Sequence, residues 1–522
     1  FFFKQKTAYE IPKRDWSSDV CSSDLADETS SVTAGSLADL FNVGANKPGA
    51  FGLKLDAGDM SELLSNGKPV TYAVADTNGD KVNDTLTATA DGRNVFTFKV
   101  NPDGSWTFDL TDQLDHVPGG GENTDLQTTS GPVGGVDLSK LITLRDADGD
   151  TNESLKPGDF VVTVKDDIPT RSADLNYKVG GRVEEDGMSR TAAAAGTPGA
   201  GAPADQSEGN KAAAGDSNAD DEASGGAGSL TKLFSAGADE QVTLGLNNDP
   251  AALAALPRLL SNGEAVTYNV TGNVLTAFVD SGAPGLDATD RQVFTLTVNA
   301  DGSWGFDLKD QLDHVAGDGE NTALRTVGGG KVDNIDLSSV LTATDADGDV
   351  LKQGLNAGDF AITVEDDIPV PVFGTVSGSV DEDGLTNHSV DAGRPNEVAA
   401  GANLSTSGSV SNLVSVGSDE PGEFSMNSAL TSDQIRAAIV PTLTSDGVEL
   451  TYSIANGVLT AKAGTTDVFT LSVAANGDYT YTLKTHLDHP TLDGVAPGTN
   501  GEFDNAENAL TINFGGLLNY TD

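Results

Sequence analysis

Short stretches of this chain alternate apolar and polar residues with a period of two, the signature of half-buried strands. Val95 to Val100 (VFTFKV) and Ser105 to Leu110 (SWTFDL) set Phe96, Phe98 and Val100 against Trp106, Phe108 and Leu110. Between them Asn101-Pro102-Asp103-Gly104 carries hairpin chemistry, because glycine tolerates the positive φ of a tight turn. The figure returns in Val293 to Val298 and Ser303 to Leu308 around Asp301-Gly302. It returns again in Val468 to Val473 and Tyr479 to Leu483 around Asn476-Gly477. Further strands are expected at Ala265 to Val270, Val274 to Val279 and Phe360 to Glu365, and one short helix at Ala251 to Leu260. About eight or nine short strands per body of roughly 140 residues predict an all-β fold of tandem Ig-like antiparallel β-sandwiches in a linear array. Arg190 to Gly228 has no apolar period and is rich in Ala, Gly, Ser, Asp and Pro. It reads as a flexible linker or surface loop.

The strands belong to a long internal repeat. Val164-Lys165-Asp166-Asp167-Ile168-Pro169 returns as Val364-Glu365-Asp366-Asp367-Ile368-Pro369. Asp103-Gly104-Ser105-Trp106 returns at Asp301 to Trp304, and Gln113-Leu114-Asp115-His116-Val117 at Gln311 to Val315. Val183-Glu184-Glu185-Asp186-Gly187 matches Val380-Asp381-Glu382-Asp383-Gly384, and Leu487-Asp488-His489 belongs to a third copy. A fixed period means an array of structural units. The units expected are 26–169, 170–369 (enclosing the linker at 190–228) and 370–522. Ile512 to Asp522 aligns with Ile335 to Asp345, so Asp522 is expected to be the first acid of a turn that continues beyond it. Residues 1–25 stand apart. They hold the only cysteine, Cys21, and Lys4 to Ile11 and Asp15 to Leu25 match translated sequencing-library adapter. This segment is expected to be an assembly artefact with no partner surface in the repeats, lying unpacked or in arbitrary contact.

Charge narrows the picture further. The 522 residues carry 79 Asp plus Glu against 30 Lys plus Arg, a formal charge of −49. Such a surface repels nucleic acid and anionic lipid. No apolar run reaches the ~18 residues of a spanning helix, which argues against membrane insertion. With no cysteine after residue 25, disulfides and cysteine metal sites are excluded from the repeats. Stability must come from apolar cores, or from hard cations held by oxygen.

The candidate chemistry is acidic. In Asp345-Ala346-Asp347-Gly348-Asp349 and its earlier copy Asp146-Ala147-Asp148-Gly149-Asp150, carboxylates recur at every second residue around a glycine. A turn there converges three charges whose repulsion a cation relieves. Calcium takes 6–8 oxygens at ~2.3–2.6 Å in a forgiving geometry, which turn carboxylates supply. Asp359 is a candidate to return to this turn, and Asp366-Asp367 to sit at the junction with the following unit beside Asp381, Glu382 and Asp383. The first copy supplies Asp159, Asp166 and Asp167, with Glu184, Glu185 and Asp186 beyond. Asp76-Thr77-Asn78-Gly79-Asp80, followed by Asp84, is a further candidate loop found only in the first copy. None of these is an EF-hand loop, which needs glycine sixth and glutamate twelfth. The alternative for each is a solvated acidic turn. Catalysis has little support: His116, His314 and His489 repeat after Leu-Asp, but no nucleophile elbow or metalloprotease helix accompanies them. Those histidines are expected to hydrogen-bond backbone at a corner, and Trp106 and Trp304 to pack in cores.

The ordered set of a V-D/E-E-D-G opening, a D-G-S-W hairpin, an L-D-H segment, a D-A-D-G-D turn and a D-D-I-P ending resembles a known repeat. It is similar to the calcium-associated repeats of giant RTX-type, biofilm-associated bacterial surface adhesins exported by type I secretion. The resemblance covers Ala26 to Asp522 and implies calcium-stiffened stalk repeats outside the cell. Their partners would be neighbouring repeats of the same chain, with an unknown surface ligand bound elsewhere in the full-length protein. No glycine-rich nonapeptide run is visible, and Asn476-Gly477-Asp478-Tyr479 replaces D-G-S-W in the third copy. The other class left open is an accessory module of a large secreted enzyme whose catalytic domain lies elsewhere.

Overall fold

The computed structural model describes residues 20–21, 31–41, 47–56, 59–119, 123–152, 155–191, 204–238, 241–317, 319–352, 354–386, 398–419, 421–439, 441–489 and 509–521. Residues 1–19 and 22–25 of the adapter-like segment lie outside the described residues, as do Asp522 and 192–203 of the low-complexity stretch.

Alternation becomes sheet. Ser31–Ser36, Ser105–Leu110, Arg93–Val100, Thr85–Ala90 and Thr71–Ala75 form a five-stranded antiparallel sheet in that order. Phe96, Phe98 and Val100 pair with Leu110, Phe108 and Trp106, and all six are buried. The hairpins turn through Gly104, Gly302 and Gly477 at φ of 85°, 78° and 84°. In the second copy Glu222–Gly225, Trp304–Leu308, Arg291–Val298, Val274–Val279, Glu264–Thr271 and Leu260–Ser261 make the corresponding sheet. In the third, Ser405–Ser409, Asp478–Leu483, Thr466–Val473, Val458–Ala463 and Thr451–Ala455 do so. Shorter ladders complete each copy, such as Ala50–Leu53 with Ile142–Arg145, Thr243–Leu246 with Leu341–Thr344, and Glu423–Met426 with Leu518–Thr521. Separate apolar cores run from Leu37 to Val164, from Val183 to Val364 and from Leu385 to Leu517. The fold is all-β.

Three features depart from the sequence reading. First, not every pairing is antiparallel: Val179–Glu184 runs parallel to Phe360–Glu365 over six residues. This ties the V-E-E-D-G opening of the second copy to its D-D-I-P ending, a closure that local alternation cannot reveal. Val20–Cys21 pairs parallel with Val164–Lys165, in the register that Val183–Glu184 takes against Val364–Glu365. Two residues of the adapter-like segment thus contact the first copy through a backbone ladder. An open strand edge pairs through backbone and asks little of the incoming side chains. Second, the low-complexity stretch is not wholly loose. Ala204 onward is docked, with Ser207 and Asn210 buried and Glu222–Gly225 forming an edge strand. Third, the predicted helix shortens to Pro250–Ala254, while Ser432–Ala438 forms a helix behind a Thr431/Gln434 capping box.

The L-D-H aspartate has a structural task in all three copies. Asp115 accepts from the N–H groups of Asn66 (2.5 Å) and Gly67 (2.8 Å). Asp313 accepts from Gly263 and Asp488 from Gly447, each closing a two-residue left-handed turn.

Candidate metal centre

The D-A-D-G-D turn folds identically in two copies. Asp345 Oδ1 accepts from Gly348 N (3.0 Å) and Asp349 N (2.8 Å), and Gly348 takes φ of 107°. Asp146 Oδ1 accepts from Gly149 N (3.1 Å) and Asp150 N (2.9 Å), with Gly149 at 104°. Carboxylate oxygens of Asp345, Asp347 and Asp349 lie within 4.8 Å of one another, as do those of Asp146, Asp148 and Asp150. The surroundings differ sharply. Asp345 and Asp349 are 5% and 1% exposed, whereas Asp148 and Asp150 are open to solvent.

The preceding copy makes that difference. His116 N donates to Asp347 Oδ2 (2.8 Å) and Gly119 N to Asp349 Oδ1 (3.0 Å), so the second turn sits on the L-D-H segment of the first copy. Asp347 also lies within 4.8 Å of His116 and Asp166. Burial, followed by the neighbouring Asp347 carboxyl, pushes the Asp345 carboxyl up to about 7. Asp345 Oδ2 and Asp347 Oδ1 are buried with no hydrogen-bond partner. Two lone-pair-bearing oxygens face each other here with no donor between them, and either a proton or a cation answers that arrangement.

The D-D-I-P acids divide their labour. Asp166 and Asp366 turn inward: each takes an amide N–H, from Asn123 and Asn321, at 2.8 Å, and meets a histidine Nδ1, of His116 and His314, at 3.3 Å. The opposite nitrogens of those rings reach Val164 O (3.1 Å) and Val364 O (3.3 Å), as a corner histidine should. Asp167 and Asp367 turn forward. Asp167 Oδ2 accepts from Ala238 N (2.6 Å) and Asp367 Oδ2 from Ser418 N (2.8 Å), both in the following copy.

At the end of the second copy the opening acids arrive as well. Glu185 is wholly buried, accepts from Leu312 N (2.7 Å) and Ser418 Oγ (2.9 Å), and shares a cluster with His314 and Asp366. Burial and then Asp419 drive its carboxyl well above the usual range. Asp186, 4% exposed, lies against Asp367, which burial and that neighbour push up to about 9. Asp366-Asp367 thus stands beside the opening of its own copy and, through Ser418, at the junction with the next. Parallel pairing of opening and ending strands is the reason.

Other predicted ligands have different employment. Asp381 Oδ1 caps Asp383 N at 3.0 Å, and Glu382 repeats the task of Glu185 by accepting from Leu487 N (2.6 Å). Glu184 faces Arg182 at 3.4 Å. In the loop of the first copy, Asp76 accepts from Gly79 and Lys81, Asn78 from Asp80, and Asp80 from Val82. That loop is a chain of exposed side-chain-to-backbone turns. Asp84 is held by Thr77 and Thr85. Asp359 does not return to the acidic turn: it clamps Arg171 at 2.7 and 2.9 Å and pairs with Lys178.

Sequence reasoning missed Asp419, whose charge acts on Glu185, and the cluster of Asp205, Asp221 and Asp307. Asp419 had a signal, since Gly237-Ala238-Asp239-Glu240 and Gly417-Ser418-Asp419-Glu420 are a sixth repeated motif. Asp205 had none, lying in a stretch without period. Among the described residues, the three all-aspartate clusters offer only hard oxygens, suited to calcium or magnesium rather than to a soft metal, while the clusters with His116 and His314 add an imidazole nitrogen. Compared with known proteins, the chain matches no family model and no curated protein.

Proposed function

We propose that this chain is a stretch of stalk from an extracellular bacterial surface adhesin, in which calcium held between copies stiffens the array. One observation carries the reading: the Asp345–Asp349 turn is buried against the preceding copy, with orphaned carboxylate oxygens on Asp345 and Asp347. An acidic turn that served only solubility would stay in water, as Asp148 and Asp150 do. Asp345, Asp347 and Asp349 would hold the ion, with His116 and Gly119 N–H groups fixing two of those carboxylates. Bound calcium supplies charge neutralisation between surfaces that otherwise repel. The ordered motifs of the sequence, which resemble adhesin repeats, supply the setting outside the cell.

The test is thermal melting in chelator, calcium and magnesium at an ionic strength that screens general repulsion. Millimolar calcium should stabilise by ~1 kcal/mol per occupied site, as expected of extracellular modules with Kd near ~10⁻⁴–10⁻³ M. Magnesium should do less, because it gives up its waters reluctantly. Asp347→Asn should remove most of one site's share. Equal melting in all three conditions would reduce the turn to a buried proton-sharing cluster.

A further inference from the structure

Ala204 to Asn210 is fastened across the second copy like a strap. Asp205 exchanges bonds with Ser189 (2.8 and 3.0 Å), Gln206 N reaches Lys309 O (2.6 Å), and Ser207 Oγ reaches Asp310 (2.6 Å). Gly209 N donates to Met188 O at 2.9 Å, and a Cβ on Gly209 would fall 2.2 Å from Asp186 O. The strap therefore lies directly on the Glu185-Asp186 backbone. Its last residue, Asn210, is 5% exposed and donates its N–H to Asp367 Oδ2 (3.2 Å).

The Asn210 amide is oriented by its surroundings. Nδ2 donates to Ile368 O at 2.7 Å, and a flipped amide would set two acceptors against each other. Oδ1 is then left buried with no hydrogen-bond partner, and so is Oδ1 of Asp186, whose carboxyl lies against Asp367. One proton shared by the two carboxyls would satisfy that pair and leave the amide oxygen orphaned. A divalent cation beside Asp367, whose Oδ2 already takes the Asn210 N–H, would satisfy all three residues.

We propose that the strap is a ligand arm: Asn210 Oδ1 joins Asp186 and Asp367 in a second calcium site between the second and third copies, separate from the D-A-D-G-D turn. It rests on the calcium reading above. A carboxylate pair with a neutral amide oxygen is the hard, mixed donor set calcium accepts. Ser418 N of the third copy already holds the same Asp367 carboxylate, so the ion would lock opening, ending and strap of one copy beside the next.

The experiment is calorimetric calcium titration of the full chain, with hydrogen exchange of the 204–215 peptide in chelator and in calcium. Asn210→Ala should weaken one calcium site at least tenfold and spare the site that Asp347→Asn removes. Asn210→Asp should retain that site. In the unmodified chain, calcium should slow exchange across 204–215, a readout that needs no variant to fold. If calcium binds and Asp347→Asn loses a site, but Asn210→Ala titrates as the parent or 204–215 exchanges alike with and without calcium, the ligand arm is overturned and the general reading stands. If the unmodified chain takes up no calcium, both fall.

Discussion

An aspartate at one repeated position does different work as its neighbours change. Asp359 is fully buried, and burial alone would push its carboxyl up. Bonds from Arg171 and Lys178 outweigh that and hold it near 2. A folded-state value below the unfolded one contributes stability above the ordinary carboxylate range, lost as pH falls through about 2. Asp359→Asn should therefore cost roughly 1–2 kcal/mol at neutral pH, and the deficit should shrink between about pH 4 and pH 2. Denaturant unfolding at both ends of that window measures it. A deficit of equal size at pH 2 would assign the loss to packing instead. Asp159, its counterpart in the first copy, is exposed.

Between strands, aromatic and glycine positions are matched across the ladder. Gly35 pairs with Trp106, Gly225 with Trp304, and Gly408 with Tyr479. The ring covers the glycine, and a Cβ on Gly225 would stand 2.1 Å from the Trp304 indole nitrogen. Gly225→Ala should thus cost about 2 kcal/mol through forced repacking. Gly305→Ala, where a Cβ meets nothing within 4 Å, should be neutral or slightly stabilising. Equal melting shifts for the two would remove the steric argument. This explains the Trp-to-Tyr change of the third copy, since either ring fills the space over glycine. It also marks what the sequence discloses. Alternation reported Val274–Val279 and Phe360–Glu365 at their observed bounds. Closure by Val179–Glu184 stayed hidden, because its Gly180-Gly181 run breaks the alternation and its partner lies 181 residues away.

Across the whole molecule, acids that look alike in sequence separate into exposed and interfacial sets. Asp146-Asp148-Asp150 and Asp345-Asp347-Asp349 have the same spelling, so nothing local foretells that the second is covered by His116 to Gly119. What was legible was the chemistry; which copy buries it depends on contacts more than 200 residues apart in sequence. The consequence for pH is opposite to that of Asp359. Burial and then Asp347 raise Asp345 to about 7, and burial and then Asp186 raise Asp367 to about 9. The folded chain keeps protons the unfolded chain has released, so stability in chelator should fall as pH rises from about 4 toward 9. Asp345→Asn with Asp367→Asn should flatten that decline. Saturating calcium should flatten it too, by taking the place of the proton. Melting temperatures between pH 5 and pH 8, with and without chelator, decide the matter; a rise in chelator would contradict it.

Asp167 and Asp367 each receive a main-chain N–H from the copy that follows, beside a glycine pressed so close that a Cβ would lie 2.0 Å from one carboxylate and 2.5 Å from the other. Main-chain groups are common to every residue type, and the donors here are Ala238 in one case and Ser418 in the other. Beyond the aspartate itself, the fastening needs from the following copy only a glycine and a main-chain N–H. Recombination that drops or duplicates a copy in frame would therefore bring together two ends that already fit.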